Sequence, residues 1–172
     1  MEPIRSERLE LAPLSADFRA AVLGGDRQRA AAILGAALPP GFPSPDQRRF
    51  LNRHRQMLAD PALERWLMRL IVLRRERDVV GDAGFHGPPD AEGRLELGYQ
   101  VLSPHRGRGY ATEAAAALIA WAHGEHGINR FVASVAPDNG ASRRVVGKLG
   151  FQQTGTRMDE VDGPELVFEL TL

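Results

Sequence analysis

The sequence contains no cysteine, which excludes a disulfide framework, a zinc site with thiolate ligands and a cysteine nucleophile. Its 22 basic residues, of which only Lys148 is a lysine, are balanced by 22 acidic residues. A net charge of zero gives no general attraction for nucleic acid or an anionic membrane, and the arginine-rich hairpin predicted over residues 69–77 lacks interleaved aromatic side chains. We therefore expect neither nucleic acid nor a membrane as a partner.

Long apolar runs are also lacking. No run approaches the roughly 20 residues that a membrane-spanning helix needs. Residues 1–10, MEPIRSERLE, lack the apolar stretch of a signal peptide, so the sequence predicts a cytoplasmic protein. The 172 residues, 43% of them hydrophobic, are enough for the core of one domain but short for two, which predicts a single domain over residues 1–172.

The periodicity of apolar residues changes repeatedly between strand and helix patterns. Strand patterns occupy residues 8–14, 66–73, 79–85, 94–102, 130–135, 151–157 and 166–172, and helical patterns occupy residues 17–23, 26–34, 44–58, 111–123 and 140–149. Ser44 and Gln47 have the spacing of a capping box at the third helix start. The first strand is expected at an edge of the sheet. This order predicts an α/β domain with a mixed sheet, in which an antiparallel meander enters a parallel strand–helix–strand crossover.

One dipeptide, Asn139-Gly140, has two competing interpretations. Asn-Gly is the strongest short signal for a β-hairpin. However, apolar residues at helical spacing follow it, and Gly150 stands where a left-handed residue commonly ends a helix. We therefore predict that Asp138 or Asn139 caps a helix.

Residues 102–114, LSPHRGRGYATEA, are an unusual start for a helix, because Arg106, Gly107, Arg108 and Gly109 alternate before an alanine-rich run. Backbone amides at a helix N-terminus have no partner within the helix and attract anions. Glycines allow a ligand to approach the main chain, and arginines add positive charge. The pattern predicts a binding site for a phosphate or pyrophosphate.

Two common phosphate-binding patterns do not fit this sequence. A P-loop requires Ser or Thr after its Gly-Lys pair, whereas Leu149 follows Lys148. A dinucleotide-binding fingerprint would place its third glycine at Thr112. A nucleotide-binding module of another kind stays open, because the chemistry of the loop is generic.

The spacing Arg106-x-x-Gly109-x-Ala111 resembles the signature of the GNAT superfamily of N-acetyltransferases. The stretches ELGYQVLSPHRGRGYATEA, NGASRRVVGKLGFQQTGT and SERLELAPL are similar to the branch that includes the ribosomal-protein N-terminal acetyltransferases. The strong match covers residues 95–156. It implies the acyl-CoA N-acyltransferase fold, a central, mostly antiparallel sheet that splays at the cofactor cleft and is flanked by helices. Homodimers are common in this family.

The resemblance implies acetyl-coenzyme A as the acetyl donor, and no metal. In this family the loop and the first helical turn hold the pyrophosphate, the strands matching residues 94–102 and 130–135 splay apart, and the first of these pairs with the pantetheine arm. An asparagine of the family also contacts that arm. The matching positions are Val101, Leu102, Ser103, Arg106, Gly107, Arg108, Gly109, Tyr110, Ala111, Thr112, Asn139 and Ser142.

Acetyl transfer to an amine requires the loss of a proton, because an α-amine has a pKa of about 8 and a lysine amine about 10.4. Glu96 resembles a glutamate of the branch's strand, and we predict it as the base, acting directly or through a water, with Asp82 and Glu113 as reserves. The tyrosine with which many relatives protonate the departing thiolate corresponds to Val146, which cannot donate a proton. Ser142 is the nearest matching hydroxyl.

The leading interpretation is an acetyl-CoA-dependent enzyme that moves the acetyl group directly to a primary amine, on a protein N-terminus or a small molecule. Because Val146 replaces the tyrosine, a noncatalytic acyl-CoA-binding regulatory domain is the alternative. His123 and His126 lack a clear third ligand, so no metal site is expected there. Nothing in the sequence identifies the acceptor amine.

Overall fold

The protein is described by a computed structural model that covers residues 1–53, 57–160 and 163–172. Its eight strands are β1 (Ile4–Arg5), β2 (Leu9–Pro13), β3 (Arg69–Leu73), β4 (Val79–Phe85), β5 (Arg94–Val101), β6 (Arg130–Val135), β7 (Gln152–Asp159) and β8 (Gly163–Thr171). They form one sheet in the order β1-β2-β3-β4-β5-β6-β8-β7. Strands β5 and β6 pair parallel and the other neighbours pair antiparallel, which confirms the predicted mixed sheet with its meander and crossover.

The helices are α1 (Ala16–Leu23), α2 (Arg27–Leu34), α3 (Pro45–Arg53), α4 (Pro61–Glu64), α5 (Tyr110–His126) and α6 (Gly140–Lys148). A 3-10 turn at Ser103–His105 joins β5 to the loop before α5, and another lies at Met57–Ala59. The predicted third helix ran to residue 58, and its residues 54–56 lie outside the described part of the chain. Within the described ranges, the helices are too short or too polar to cross a bilayer.

Side-chain caps fix the helix starts that the sequence predicts. At α3, the Gln47 N–H donates to Ser44 Oγ (3.2 Å) and the Ser44 N–H donates to Gln47 Oε1 (2.9 Å), which confirms the capping box. At α6, Asn139 Oδ1 accepts from the N–H of Ser142 (3.0 Å). Gly150 follows the helix with φ +88°. The helical interpretation of Asn139-Gly140 is therefore confirmed.

Two apolar cores lie on opposite faces of the sheet, because alternate residues of a strand point to opposite sides. On β3, Leu70 and Val72 pack with the core formed by α1, α2 and α3. Ile71 and Leu73 pack with the core under α5 and α6. Helices α1 to α3 thus cover one face over β2, β3 and β4, while α5 and α6 cover the other face.

The parallel contact between β5 and β6 is short. It joins Arg94 to Arg130, Leu95 to Phe131 and Glu96 to Val132, and no pair follows among the described residues. Both strands nevertheless continue, β5 to Val101 and β6 to Val135. A gap therefore opens in the middle of the sheet beyond Glu96, and β5 leads from it directly into the start of α5.

Three expectations from the sequence were wrong. The strand β2 is internal, because the short β1 pairs with its outer side. Arg69 does not belong to an exposed basic hairpin: it is 2% exposed, donates to the Glu2 carbonyl and lies over the Trp121 ring, and burial lowers its pKa to about 10. Finally, α5 is longer than residues 111–123, because the left-handed cap at Gly127 (φ +67°) ends it only after His126.

Candidate active site

The glycine–arginine turn forms the N-terminus of α5. Gly107 and Gly109 have φ angles of +76° and +82°, in the left-handed region that only glycine adopts readily. Gly109 is the N-cap, so the amides of Tyr110, Ala111 and Thr112 are the first of a 17-residue helix and lack acceptors within it. Free amides at a helix N-terminus favour an anion, and the phosphate site expected from the sequence stays a prediction.

Arg8 braces the turn from the segment between β1 and β2. Its backbone N–H and its Nε donate to the two carboxylate oxygens of Glu113 (2.8 and 2.7 Å), and another guanidinium N–H donates to the Arg108 carbonyl (3.0 Å). The guanidinium also lies 4.8 Å from the Tyr110 ring centre. Burial would raise the pKa of Glu113, but hydrogen bonds from Arg8 and Ser6 bring it below its ordinary value. The carboxylate of Glu113, which the sequence offered as a reserve base, therefore holds the turn through these hydrogen bonds.

The end of β5 directs main-chain groups toward the gap. The Leu102 N–H donates to the Val80 carbonyl on β4 (2.9 Å), and its carbonyl accepts from the His105 N–H (2.9 Å). Backbone groups of an antiparallel strand alternate in direction, so those of Tyr99 and Val101 point away from β4, toward the gap. Pairing of a ligand through Leu102 would require existing hydrogen bonds to open, whereas Val101 is suitably placed.

Other predicted coenzyme-binding residues surround the same opening. Ser103, Arg106, Gly107 and Arg108 are exposed. The Arg106 side chain folds back, and its Nε donates to the Val101 carbonyl (2.9 Å). Asn139 is exposed where β6 leads into α6, with its Oδ1 committed to the helix cap.

Sequence reasoning missed Tyr99, which joins Ser142 across the gap. The Tyr99 hydroxyl lies 2.8 Å from Ser142 Oγ and 3.3 Å from the Ser142 carbonyl oxygen. Burial raises the pKa of Tyr99, and the hydrogen bond with Ser142 opposes this only in part, so the phenol stays protonated at neutral pH. Val146 is fully buried in the core and offers no proton. Tyr99 lies on the same face of β5 as Leu95, Leu97 and Val101, so it resembles a core residue. No pattern in the sequence predicts its pairing with Ser142.

Glu96 lies on the opposite face of β5 from Tyr99. It forms two hydrogen bonds with the Arg157 guanidinium, at 2.7 Å to Oε1 and 3.2 Å to Oε2. Burial would raise the pKa of Glu96, but hydrogen bonding from Arg157, the neighbouring Ser134 hydroxyl and the charge of His86 outweigh it and lower the pKa. Arg157 is also bound to Glu165 (2.7 Å), which helps to raise its own pKa. Glu96 is therefore a firmly held and weakly basic carboxylate.

A cavity of about 440 Å³ opens where β5 and β6 begin to separate. It lies on the face that carries Glu96, beside the part of the sheet that α1 to α3 cover. Its ionisable lining residues are His86, Asp90, Arg94, Glu96, Arg157 and Glu169. Arg94 contacts Asp90 (2.9 Å) and Glu169 (3.8 Å), so both arginines of the lining are paired with carboxylates.

Two other groups of ionisable residues lie outside this cavity. Asp82 accepts a hydrogen bond from Gln47 Nε2 (2.8 Å), and burial raises its pKa more than this bond lowers it. His123 Nδ1 lies 3.2 Å from the Ile128 carbonyl oxygen, and the His126 ring meets the Trp66 ring edge to face. In the described part of the chain, no three His, Asp or Glu side chains are grouped as metal ligands.

A family model described as "Acetyltransferase (GNAT) domain" matches residues 8–152. A protein of Bacillus subtilis (strain 168) named "Uncharacterized N-acetyltransferase YjdG" is 39% identical over 82 residues, which are 48% of this chain and 49% of that protein. The alignment with that relative thus spans about half of its length.

Solved structures share the whole fold. A ribosomal-protein-S5-alanine acetyltransferase from Vibrio fischeri superposes with a TM-score of 0.69 at 16% identity, covering 99% of this chain and 97% of that one. The microcin C7 self-immunity acetyltransferase MccE, in complex with acetyl-CoA and AMP, has a TM-score of 0.66 at 17% identity, covering 97% and 94%. At these identities the similarity establishes the fold.

Proposed function

This chain belongs to the GNAT acetyltransferase domain family, and from that premise we propose that it transfers an acetyl group from acetyl-CoA to a primary amine. One observation carries the proposal: β5 and β6 separate beyond Glu96 beside the anion-attracting N-terminus of α5. The same opening thus offers a helix N-terminus for the pyrophosphate of acetyl-CoA and unpaired strand edges for its pantetheine arm.

The residues around the opening fit acetyl-CoA. The amides of residues 108–112 and the Arg108 side chain would hold the pyrophosphate, while Arg106, folded onto the Val101 carbonyl, would shape the approach with Gly107 and Gly109. The main chain of Val101 and Ser103 and the exposed Asn139 would hold the pantetheine arm. The coenzyme supplies an acetyl thioester, which an amine can attack directly.

The two faces of β5 supply different groups to the reaction. On one face, Tyr99 and Ser142 provide hydroxyls, from which we propose that the departing thiolate receives its proton. On the other face, Glu96 lines the cavity, where its negative charge would attract and orient the acceptor ammonium. Main-chain N–H groups near Tyr99 and Val101 can stabilise the developing oxyanion, a contribution typically worth about 3–4 kcal/mol.

The cavity beside Glu96 is the proposed acceptor site. Three carboxylates and two arginines line it, and each arginine is already paired. Because the carboxylates outnumber the arginines, the cavity favours an ammonium ion. Because both arginines are paired, neither of these lining residues is free to bind a substrate carboxylate. This favours a protein N-terminus or a polyamine over a free amino acid.

The experiment is a thiol-release assay with acetyl-CoA and an amine panel of N-terminal peptides, spermidine, an aminoglycoside and free amino acids. The protein has no cysteine, so it contributes no thiol background to a colorimetric reagent. Release that requires one of the amines, with the acetyl group found on that amine by mass spectrometry, supports the proposal. Binding of acetyl-CoA without turnover on the whole panel would favour the noncatalytic regulatory domain.

A further inference from the structure

We propose that His86 accepts the proton from the acceptor amine and that Glu96 positions the His86 ring and stabilises its charged form. This inference rests on the acetyltransferase function proposed above. It concerns a histidine that follows β4 and has no part in the predicted coenzyme site.

The main chain and the ring of His86 are both fixed against β5. The His86 N–H donates to the Glu96 carbonyl (2.9 Å), which extends the pairing of β4 with β5. The ring lies directly on Gly98, where an added Cβ would come within 2.6 Å of His86 Nε2 and 3.1 Å of Cδ2. A side chain at residue 98 would therefore displace the ring from this position. Because Gly98 comes two residues after the last pair with β6, Nε2 lies at the mouth of the gap.

The other ring nitrogen faces Glu96. His86 Nδ1 lies 3.6 Å from Glu96 Oε1, and the His86 side chain is 59% exposed while that of Glu96 is 24% exposed. A carboxylate on this side favours the tautomer with its proton on Nδ1, which leaves Nε2 as the nitrogen that can accept a proton. The imidazolium formed after proton transfer would be stabilised by the same carboxylate.

Glu96 is less suited to take the proton itself. Both of its oxygens accept hydrogen bonds from Arg157, and its pKa is lowered. A general base works best when its pKa lies near the operating pH, and imidazole is the side chain that ordinarily titrates between pH 5 and 8. The charged groups that share the cavity with His86 are Asp90, Arg94, Glu96, Arg157 and Glu169, three acids against two bases.

The step balances without another reactant. The acceptor ammonium first gives one proton to His86 Nε2, and the neutral nitrogen then forms a bond to the acetyl carbonyl carbon. The carbon–sulfur bond breaks, and the nitrogen loses its second proton to water. The thiolate takes a proton from the Tyr99 and Ser142 hydroxyls, which regain it from solvent, and His86 returns its proton to water.

The first test compares His86→Gln with His123→Gln, a change at an exposed histidine on α5 that faces the Ile128 carbonyl. With one active acceptor at pH 7, we expect kcat/KM of His86→Gln to fall roughly 10²- to 10⁴-fold, the usual contribution of a positioned base. The KM for acetyl-CoA should stay unchanged, because His86 lies on the acceptor face. The His123→Gln variant should match the native protein in both constants.

Two further readouts separate proton transfer from a structural role. The rate of His86→Gln should keep rising with pH through pH 9, because only amine that is already neutral can react, while the native rate levels off earlier. Added imidazole should restore part of the activity of His86→Ala by entering the exposed space that the ring leaves. Glu96→Gln should reduce turnover, but its rate should still level off with rising pH as in the native protein, because His86 is present.

Two results would overturn the inference while leaving the proposed function intact. One is native-like turnover of His86→Gln at neutral pH. The other is loss of the plateau in Glu96→Gln but not in His86→Gln, which would make Glu96 the direct base. If the native protein acetylates none of the amines, the proposed function itself fails before any variant is compared.

Discussion

Replacing Gly109 by valine should weaken acetyl-CoA binding far more than it weakens the fold. Gly109 is the N-cap of α5 with φ +82°, and its nearest neighbour would be an Arg8 guanidinium nitrogen, 3.4 Å from an added Cβ. A separation of 3.4 Å is at the short end of ordinary van der Waals contact, so the added Cβ by itself requires little movement of Arg8. The larger obstacles are the backbone angle and the branched side chain placed where the phosphate must approach the amides.

The loss of stability and the loss of acetyl-CoA affinity in Gly109→Val have different causes and different expected sizes. A left-handed backbone costs an L-residue about 1–2 kcal/mol, and in a protein of this size 1 kcal/mol lowers Tm by roughly 2–4 °C. Hydrogen bonds to a charged group contribute about 1.5–3 kcal/mol each. Loss of one amide–phosphate bond in Gly109→Val should therefore raise the Kd for acetyl-CoA roughly 10- to 100-fold.

The matched control is Gly127→Val at the other end of the same helix. Gly127 has φ +67° and no atom within 4 Å of an added Cβ, so it carries a similar backbone strain far from the turn. Both variants should show a comparable fall in Tm by circular dichroism, and calorimetric titration should show weakened acetyl-CoA binding in Gly109→Val alone. Native affinity in a folded Gly109→Val protein would refute the phosphate site.

Three other predictions follow from contacts around the site. Arg8→Ala should raise the KM for acetyl-CoA about tenfold, since one or two hydrogen bonds that hold the turn are worth roughly 1.5 kcal/mol, while Arg5→Ala should leave it unchanged. An equal KM for acetyl-CoA in Arg8→Ala and Arg5→Ala would show that Arg8 does not hold the turn in its binding conformation. Tyr99→Phe and Ser142→Ala should each lower kcat, and the double variant should be no worse than the more impaired single one, because the hydroxyls act together. Additive losses would show independent roles. Burial raises the pKa of Asp82, so the stability that its protonated form contributes is present below the unfolded pKa and is lost as the pH rises through the folded pKa. Asp82→Asn should thus raise Tm at pH 7 but not at pH 3, and equal shifts at both pH values would contradict this.

The sequence predicted the features that depend on neighbouring residues. The Ser44–Gln47 capping box, the helix after Asn139 and the left-handed Gly150 that follows this helix are local, because a few adjacent side chains and backbone angles decide them. The family signature lies within one continuous stretch of chain, and it indicated the fold and the coenzyme loop for the same reason.

Contacts between distant residues required the tertiary structure. The pairing of Glu96 with Arg157 joins residues 61 positions apart, and that of Tyr99 with Ser142 joins residues 43 positions apart. Neither spacing leaves a pattern in the sequence, because strand order and the place where β6 leaves β5 decide which side chains meet. The sequence by itself therefore determined most of the elements, though not β1 or α4, and the glycine–arginine turn before α5. Only the folded sheet decided that Glu96 is held by an arginine, that His86 rests on Gly98 and that hydroxyls meet across the gap, because these contacts exist only once separate strands are packed side by side.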